Sequence, residues 1–385
     1  MRVLHLSSGG LFGGVETFLI TLARHGGAGA PMEAHFALTA EGRLSDELRA
    51  AGAPVHPLGD VRVRRPLSIV RARRRLGGLL RRTGCDVVVC HSPWAQALFG
   101  PPVRAASLPL VFQLHGHVTG RHWLERWARL TPPDLVISNS RFTAGTLGNL
   151  FPGVRQEIVR YPVAPTGGGW PAGERAAVRG ELATPEGDVV IVQTSRLEPW
   201  KGHRLHLQAL AKLRDLPGWT SWMVGGVQRP EEAAYLEELE QSAARYGIAD
   251  RVRFVGQRQD VPRILAAADV HFQPNLGPEP FGIAFIEALY AGLPVVTTAI
   301  GGPREIVEPS CGILTPPDDA DALAAALREL IGDPARRAAL GAAGPARAAA
   351  LCDPEAQVEQ YRRALETARG LAGAAAARTA ASSAA

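Results

Sequence analysis

Apolar residues along this chain come in short runs separated by longer stretches of mixed polarity. VLHLSS (3–8), HFALTA (35–40), DVVVCHS (86–92), LPLVFQLHG (108–116) and LVISNS (135–140) read as buried strands. Between them, VETFLITLARHG (15–26) and LSDELRAAG (44–52) read as amphipathic helices. This alternation predicts βαβ units and a parallel sheet. At YPVAPTGGGWPAG (161–173) the pattern gives way to Pro and Gly, as expected of an interdomain linker. It then resumes with VVIVQTSRL (189–197), TSWMVGG (220–226), VRFVGQ (252–257), DVHFQPN (269–275) and LPVVTTAI (293–300), interleaved with helix-like partners. The chain therefore reads as two doubly wound α/β halves in succession. Ligands of such sheets bind outside the carboxyl ends of the strands, so two facing sheets imply a cleft. The expected boundaries are a first domain over 1–165, a second over 166–355, and a helix over 356–370 returning to the first. The remainder, 371–385, is low in complexity, has no large apolar residue after Leu371, and is expected to be disordered.

Composition narrows the class. The chain has 385 residues, 46% hydrophobic and 21% charged, which suits two globular domains. No apolar run approaches the ~18 residues of a membrane span. The opening MRVLHLSS lacks the layout of a secretory signal. Cys85, Cys90, Cys311 and Cys352 are scattered and are expected to be reduced thiols of a cytoplasmic protein.

Charge adds one feature. The net charge is +5, yet residues 61–82, VRVRRPLSIVRARRRLGGLLRR, hold nine arginines and no acid. Such a run suits an anionic partner, whether lipid headgroups, nucleic acid or an acidic substrate. It equally suits a solvated helix face in an arginine-rich protein. It lacks the aromatics on which single-stranded bases stack, which argues against nucleic acid.

Three stretches carry candidate chemistry. SSGGLFGGVETF (7–18) joins the first strand to a helix, and its glycines, Gly13 and Gly14 among them, allow close backbone approach by an anion. It is not a spaced dinucleotide fingerprint and equally suits a tight turn. TSRLEPWKGH (194–203) follows the first strand of the second half. Arg196 and Lys201 there suit a diphosphate, or are two exposed bases near a turn. PEPFGIAFIE (278–287) is expected to start a helix near Phe281, leaving the amides of Gly282, Ile283 and Ala284 free to hold phosphate. Glu279 before that helix and Glu287 within it make sense as acceptors for sugar hydroxyls beside the phosphate. The plainer reading is an acid in a favourable helix dipole, ~0.3–1 kcal/mol.

Together these stretches resemble the retaining family 4 glycosyltransferases. Glu279 and Glu287 within EPFGIAFIE resemble the family's E-x7-E motif, SRLEPWKGH its Arg and Lys-Gly phosphate motif, and GGLFGGVE its N-terminal Gly-Gly loop. DVHFQPN, AGLPVVTTAIGG and CGILTPPDD are similar to the surrounding strands and turns, in the right order, and the likeness spans roughly residues 1–365. The resemblance implies two facing Rossmann-like domains, the GT-B architecture, with an acceptor-side first domain and a nucleotide-sugar-binding second domain. It implies a sugar moved from a nucleotide-diphosphate donor to an acceptor hydroxyl, in cell-surface glycan or glycolipid synthesis. Arg196 and Lys201 would neutralise the diphosphate leaving group. Glu279 would contact the donor sugar, Glu287 the ribose, the amides after Phe281 the phosphate, and Arg258 in VGQRQD the base. His115 in FQLHGH would contact the sugar and position the donor. His115 is otherwise a structural histidine, or an HxH metal pair with His117 for which no third ligand suggests itself.

No metal and no cofactor are expected. Asp319 and Asp321 form a DxD, but within PPDDADALAAAL they read as helix-start acids. Retention without a protein nucleophile is expected to proceed by front-face transfer, as the family implies. The acceptor is expected to be a glycan, a lipid-linked or a small molecule, near His91, Trp94, His117, His122 and Trp123. The Arg62–Arg82 run could then dock on anionic membrane, giving a cytoplasmic enzyme peripheral to the inner face. One departure is the Tyr161-Pro162 step, which stiffens the linker where the family usually has Asn-Gly. Trp200 beside Lys201 is a second. The competing functions are a non-catalytic nucleotide-sugar-binding subunit and a phosphorylase or epimerase of the same fold.

Overall fold

The computed structural model describes residues 1–9, 13–27, 29–165 and 169–384, with side chains through 374. Gly10–Phe12 of the glycine-rich loop and Thr166–Gly168 of the expected linker lie outside the described residues.

Chain contacts divide the molecule into two units. One is Met1–Pro162 with Pro354–Ala385, and the other is Val163–Asp353. Both boundaries fall a few residues earlier than the sequence pattern places them.

The first unit contains β1 (Arg2–Ser7), α1 (Gly14–His25), β2 (Glu33–Leu38), α2 (Arg43–Ala50), β3 (Val55–Pro57), α3 (Pro66–Thr83), β4 (Val87–Cys90), α4 (Pro93–Ala105), β5 (Leu110–Leu114), α5 (Trp123–Ala128), β6 (Leu135–Ser138), α6 (Arg141–Thr146) and β7 (Gln156–Ile158). Its strands form one parallel sheet in the order β3-β2-β1-β4-β5-β6-β7. The winding reverses between β1 and β4, where doubly wound sheets leave a crevice at the carboxyl edge. Every residue of β4 and β5 is buried, as two-sided cover requires.

The second unit contains α7 (Glu174–Glu181), β8 (Val189–Thr194), α8 (His203–Ala211), β9 (Trp219–Val224), α9 (Pro230–Arg245), β10 (Val252–Gly256), α10 (Val261–Ala267), β11 (Val270–Gln273), α11 (Ile283–Tyr290), β12 (Val295–Thr298), α12 (Pro303–Ile306), β13 (Gly312–Thr315), α13 (Ala320–Gly332) and α14 (Pro334–Cys352). Its parallel sheet runs β10-β9-β8-β11-β12-β13 and reverses between β8 and β11. The fold is thus two Rossmann-like doubly wound sheets.

From Pro354 the chain forms α15 (Pro354–Ala384), which belongs to the first unit. Its Tyr361, Ala364, Leu365 and Ala368 are buried. Residues expected to form a disordered tail from 371 instead continue α15. Alanine has the highest intrinsic helix propensity, and a helix already nucleated by packing extends through it at little cost.

The arginine run is mostly α3. Its buried stripe is Ala72, Leu76, Leu79 and Leu80. The opposite stripe carries Leu67 (70% exposed), Val70 (42%), Arg71, Arg74, Arg81 and Arg82. Two arginines are structural: Arg73 donates to the carbonyls of Leu98 (2.7 Å) and Ala97 (3.3 Å), and Arg75 to that of Leu58 (3.0 Å). Arg62 pairs with Asp60, just outside the run, at 2.8 Å. Among the described residues no carboxylate pairs with Arg64, Arg65, Arg71, Arg74, Arg81 or Arg82.

Candidate active site

In the second unit, β8 delivers Ser195 and Arg196 to the carboxyl edge. A single 3-10 turn, Pro199–Lys201, then leads into α8. Gly202 closes that turn with φ +78°, and a Cβ there would lie 1.7 Å from the Pro274 carbonyl oxygen. Only glycine lets the Lys201 turn press this closely on the exit of β11. The amides of Leu276 (2.8 Å) and Gly277 (3.2 Å) donate to the Trp200 carbonyl and tie the two loops together. Gln193 donates to the Lys201 carbonyl at 3.0 Å and holds the turn from beneath.

The acidic motif meets this turn. Glu279 is almost buried, forms a parallel bridge with Gly301, and accepts the Gly302 amide at 2.8 Å through its carbonyl. Its carboxylate takes a hydrogen-bonded ion pair from Lys201 Nζ. The same Nζ lies 4.1 Å from the centre of the Trp200 ring, a cation–π contact. Trp200 Nε1 donates to Glu198 Oε2 at 3.0 Å, and Arg196 Nη2 pairs with that same oxygen at 3.1 Å. Arg196, Glu198, Trp200, Lys201 and Glu279 thus form one continuous cluster. Glu198 and the pairing role of Trp200 escape the sequence reading. Their signal was spacing: an acid and a tryptophan between two cations within six residues.

Helix α11 starts at Ile283, two residues later than the Phe281 start expected, because Gly282 sits at φ +112° and cannot join the helix. A Cβ on Gly282 would lie 2.4 Å from the Phe285 ring. The amides of Ile283 and Ala284 head the helix and have no acceptor within it. Ile283, Ala284 and Glu287 are partly open, while Phe285, Ile286, Ala288, Leu289 and Tyr290 are buried. Glu287 therefore shares the open face with the leading amides. Although the residue is partly open, the protein packed around its carboxyl keeps water from it and pushes it up to about 7.

The remaining expected residues divide. Arg258 is committed to both Asp260 oxygens (2.7 Å each) and to Glu181, in a network with Arg263 and Glu174; no hydrogen bond or ion pair links it to Lys201 or Glu279 among the described residues. Asp319 caps α13, accepting the Ala322 amide at 2.9 Å, and Asp321 pairs with Lys212 at 2.7 Å. The DxD is helix-start chemistry, as its context indicates. Among the described residues no His, Cys, Asp and Glu group is arranged to hold a metal ion.

In the first unit, Gly13 caps α1 and its carbonyl accepts the Thr17 amide at 3.0 Å. Gly14 begins the helix and is exposed. His115 follows β5 and is partly open. Its two ring nitrogens meet His91 Nδ1 (2.9 Å) and the Tyr161 hydroxyl. His117 lies beyond the strand end, is exposed, and stands beside the Phe142 ring. The alternate-residue geometry behind an HxH pair is therefore lost. Of the acceptor candidates, His91 is buried, Trp94 packs edge-on against Phe99, and His122 and Trp123 are exposed.

Comparison with known proteins gives the family. Residues 174–347 match the family described as Glycosyl transferases group 1, and residues 12–163 match Glycosyltransferase Family 4. A GDP-mannose-dependent alpha-(1-6)-phosphatidylinositol monomannoside mannosyltransferase of Mycobacterium tuberculosis is 32% identical over 329 residues, 78% of this chain and 80% of that protein. A D-inositol 3-phosphate glycosyltransferase of Streptomyces avermitilis is 34% identical over 218 residues, 54% of this chain and 44% of that one. The solved structure of Anabaena HepE in complex with UDP and glucose matches with a TM-score of 0.85 at 26% identity, covering 95% of this chain and 99% of that one. The two sheet orders and this structural match define a protein of GT-B architecture. The sequence matches carry it further: the chain belongs to the family 4 glycosyltransferases.

Proposed function

We propose that this glycosyltransferase moves a hexosyl group, with retention, from a nucleoside-diphosphate sugar to an acceptor hydroxyl in glycolipid or cell-surface glycan synthesis. The observation that carries this reading is the Arg196–Glu198–Trp200–Lys201–Glu279 cluster. On donor binding, the diphosphate takes Lys201 from Glu279 and Arg196 from Glu198. Glu279, freed from its cation, accepts hydroxyls of the donor sugar. Glu287 accepts ribose hydroxyls, and the amides of Ile283 and Ala284, with Gly282 and Phe281 shaping the turn, meet the phosphate.

As the bond from the anomeric carbon to the phosphate oxygen breaks, negative charge gathers on the diphosphate. Two cations and the α11 amides stand where that charge develops, supplying what a metal would otherwise bring. The acceptor oxygen bonds the anomeric carbon on the same face, and its proton passes to the departing phosphate. We assign His115, Gly13 and Gly14 to the sugar side. Arg258, held by its own acids, we assign to bracing the turn rather than reading the base.

The relatives' mannolipid and inositol-phosphate names support a lipid-linked or inositol-type acceptor. We further propose that the acid-free outer stripe of α3 rests on anionic lipid, with Leu67 and Val70 entering the interface. Sedimentation with anionic vesicles tests this.

The donor assignment is tested by thermal stabilisation with UDP, GDP, ADP, TDP and CMP. One nucleoside diphosphate should stabilise the protein by about 2.7 kcal/mol at a hundred times its Kd. Lys201→Ala and Glu287→Ala should each lose that shift. No shift with any of the five overturns the donor site.

A further inference from the structure

The carboxyl edge of the first sheet holds a hydrogen-bonded chain, buried at His5 and His91 and partly open at His115, of which the transfer reading above uses only His115. His5 in β1, His91 after β4 and His115 after β5 stand on neighbouring strands. His5 Nδ1 meets His91 Nε2 at 2.9 Å, and His91 Nδ1 meets His115 Nε2 at 2.9 Å. The chain continues from His115 Nδ1 to the Tyr161 hydroxyl. A neutral imidazole has one donor and one acceptor, so three linked rings must all point their protons the same way. A proton added to the middle ring, His91, would set two N–H groups against each other. Burial reinforces this, holding His5 and His115 down to about 3 and His91 well below its ordinary range.

Tyr161 is itself aimed. Asn139 Nδ2 donates to the Tyr161 oxygen (3.0 Å) and to the His115 carbonyl (3.0 Å). Thr143 Oγ1 donates to Asn139 Oδ1 at 2.8 Å, which fixes the amide the right way round. Phe18 of α1 packs against both partners, 4.9 Å from the Tyr161 ring and edge-on to His115 at 5.7 Å. One amide therefore positions the backbone of His115 and the hydroxyl that meets its ring.

We propose that Tyr161 is a positioning residue for glycosyl transfer, its hydroxyl holding the His115 ring in one orientation at the carboxyl edge of β5. The inference rests on the transfer reading above. His115 then acts as an uncharged wall of fixed geometry, with neither ring nitrogen available as a proton carrier, and its effect on the sugar is orientational.

A double-mutant cycle tests it, reading release of GDP from GDP-mannose or of UDP from UDP-glucose, whichever the wild-type protein turns over. Tyr161→Phe keeps the ring on Phe18 and removes only the hydroxyl. It should lower kcat about tenfold, leave KM for the donor within about twofold, and leave nucleoside-diphosphate stabilisation unchanged. In a His115→Ala background the same change should cost less than about twofold, because the residue it acts through is gone. Phe18→Leu, which disturbs packing without touching the hydrogen bonds, should cost about the same in both backgrounds. Wild-type kcat in Tyr161→Phe, or losses that simply multiply with His115→Ala, overturns the positioning role and leaves the transfer reading intact. Absence of wild-type turnover on both donors, together with no stabilisation by any of the five nucleotides above, overturns the two together.

Discussion

The two sheets share a winding, and their carboxyl edges hold opposite chemistry. At the second, cations and acids alternate: Arg196, Glu198, Lys201 and Glu279, with Glu287 on the open face of α11. At the first, the linked chain of polar side chains among the described residues is three imidazoles, a phenol and an amide. The first unit has charge in plenty, but it lies outside, on α3. A doubly wound sheet thus supplies an edge and a crevice without dictating what binds there. The side chains at the strand exits decide whether the edge holds an anion or shapes a neutral group.

That contrast can be broken by experiment. Lys201→Met removes a charge from the second edge and leaves Glu279 without its cation. Turnover should fall by ~10²–10³, the scale of a lost transition-state charge stabiliser, measured as nucleotide release under saturating donor. A loss no greater than that of Tyr161→Phe would erase the distinction between the edges.

Glu287 gives an intermediate effect. Its carboxyl is raised from about 4.5 to about 7, so below that pH it is protonated and, in the donor role proposed above, cannot accept ribose hydroxyls as an anion. Nucleotide affinity should rise with pH through about 7, by up to about tenfold per unit on the acid side. Glu287→Gln should flatten the profile in titration calorimetry. The linked stability runs the other way. Between about 4.5 and 7 the folded protein holds a proton that the unfolded chain releases, so this group's contribution is lost as pH rises.

A separate effect, on membrane binding and not on turnover, belongs to α3. Each arginine near an anionic surface contributes about 1 kcal/mol. Replacing Arg71 and Arg74 by Gln should weaken sedimentation with phosphatidylserine vesicles about tenfold or more, leave neutral vesicles unaffected, and leave nucleotide binding unchanged. Equal sedimentation of the two proteins would assign the stripe to solvent.

Much of this architecture was legible in the chain. Central strands such as β4, β5, β8 and β11 are covered on both faces and so appear as continuous apolar runs. The edge strands β3, β7 and β13 are short and partly open, and the hydrophobic pattern does not mark them as strands. The motif residues of the second edge were legible because each sits at a strand exit or a helix start. Their pairing was not, since Lys201 and Glu279 are 78 positions apart. Arg258 illustrates the same limit, as the Glu181 that holds it lies 77 positions earlier. His5 could not be singled out, because a histidine in an apolar strand reads as core until its neighbours on β4 and β5 are known.

The return of α15 to the first unit has a consequence for the order of assembly. Residues 163–353 are contiguous, so that unit is complete in a growing chain once they have emerged. The first unit is made earlier yet finished later. The side of its cluster that faces Tyr361, where His5 lies 6.3 Å and Phe18 5.6 Å from that ring, has no cover until α15 is synthesised. During translation the half that begins first must wait, with apolar surface exposed, for the half that begins second.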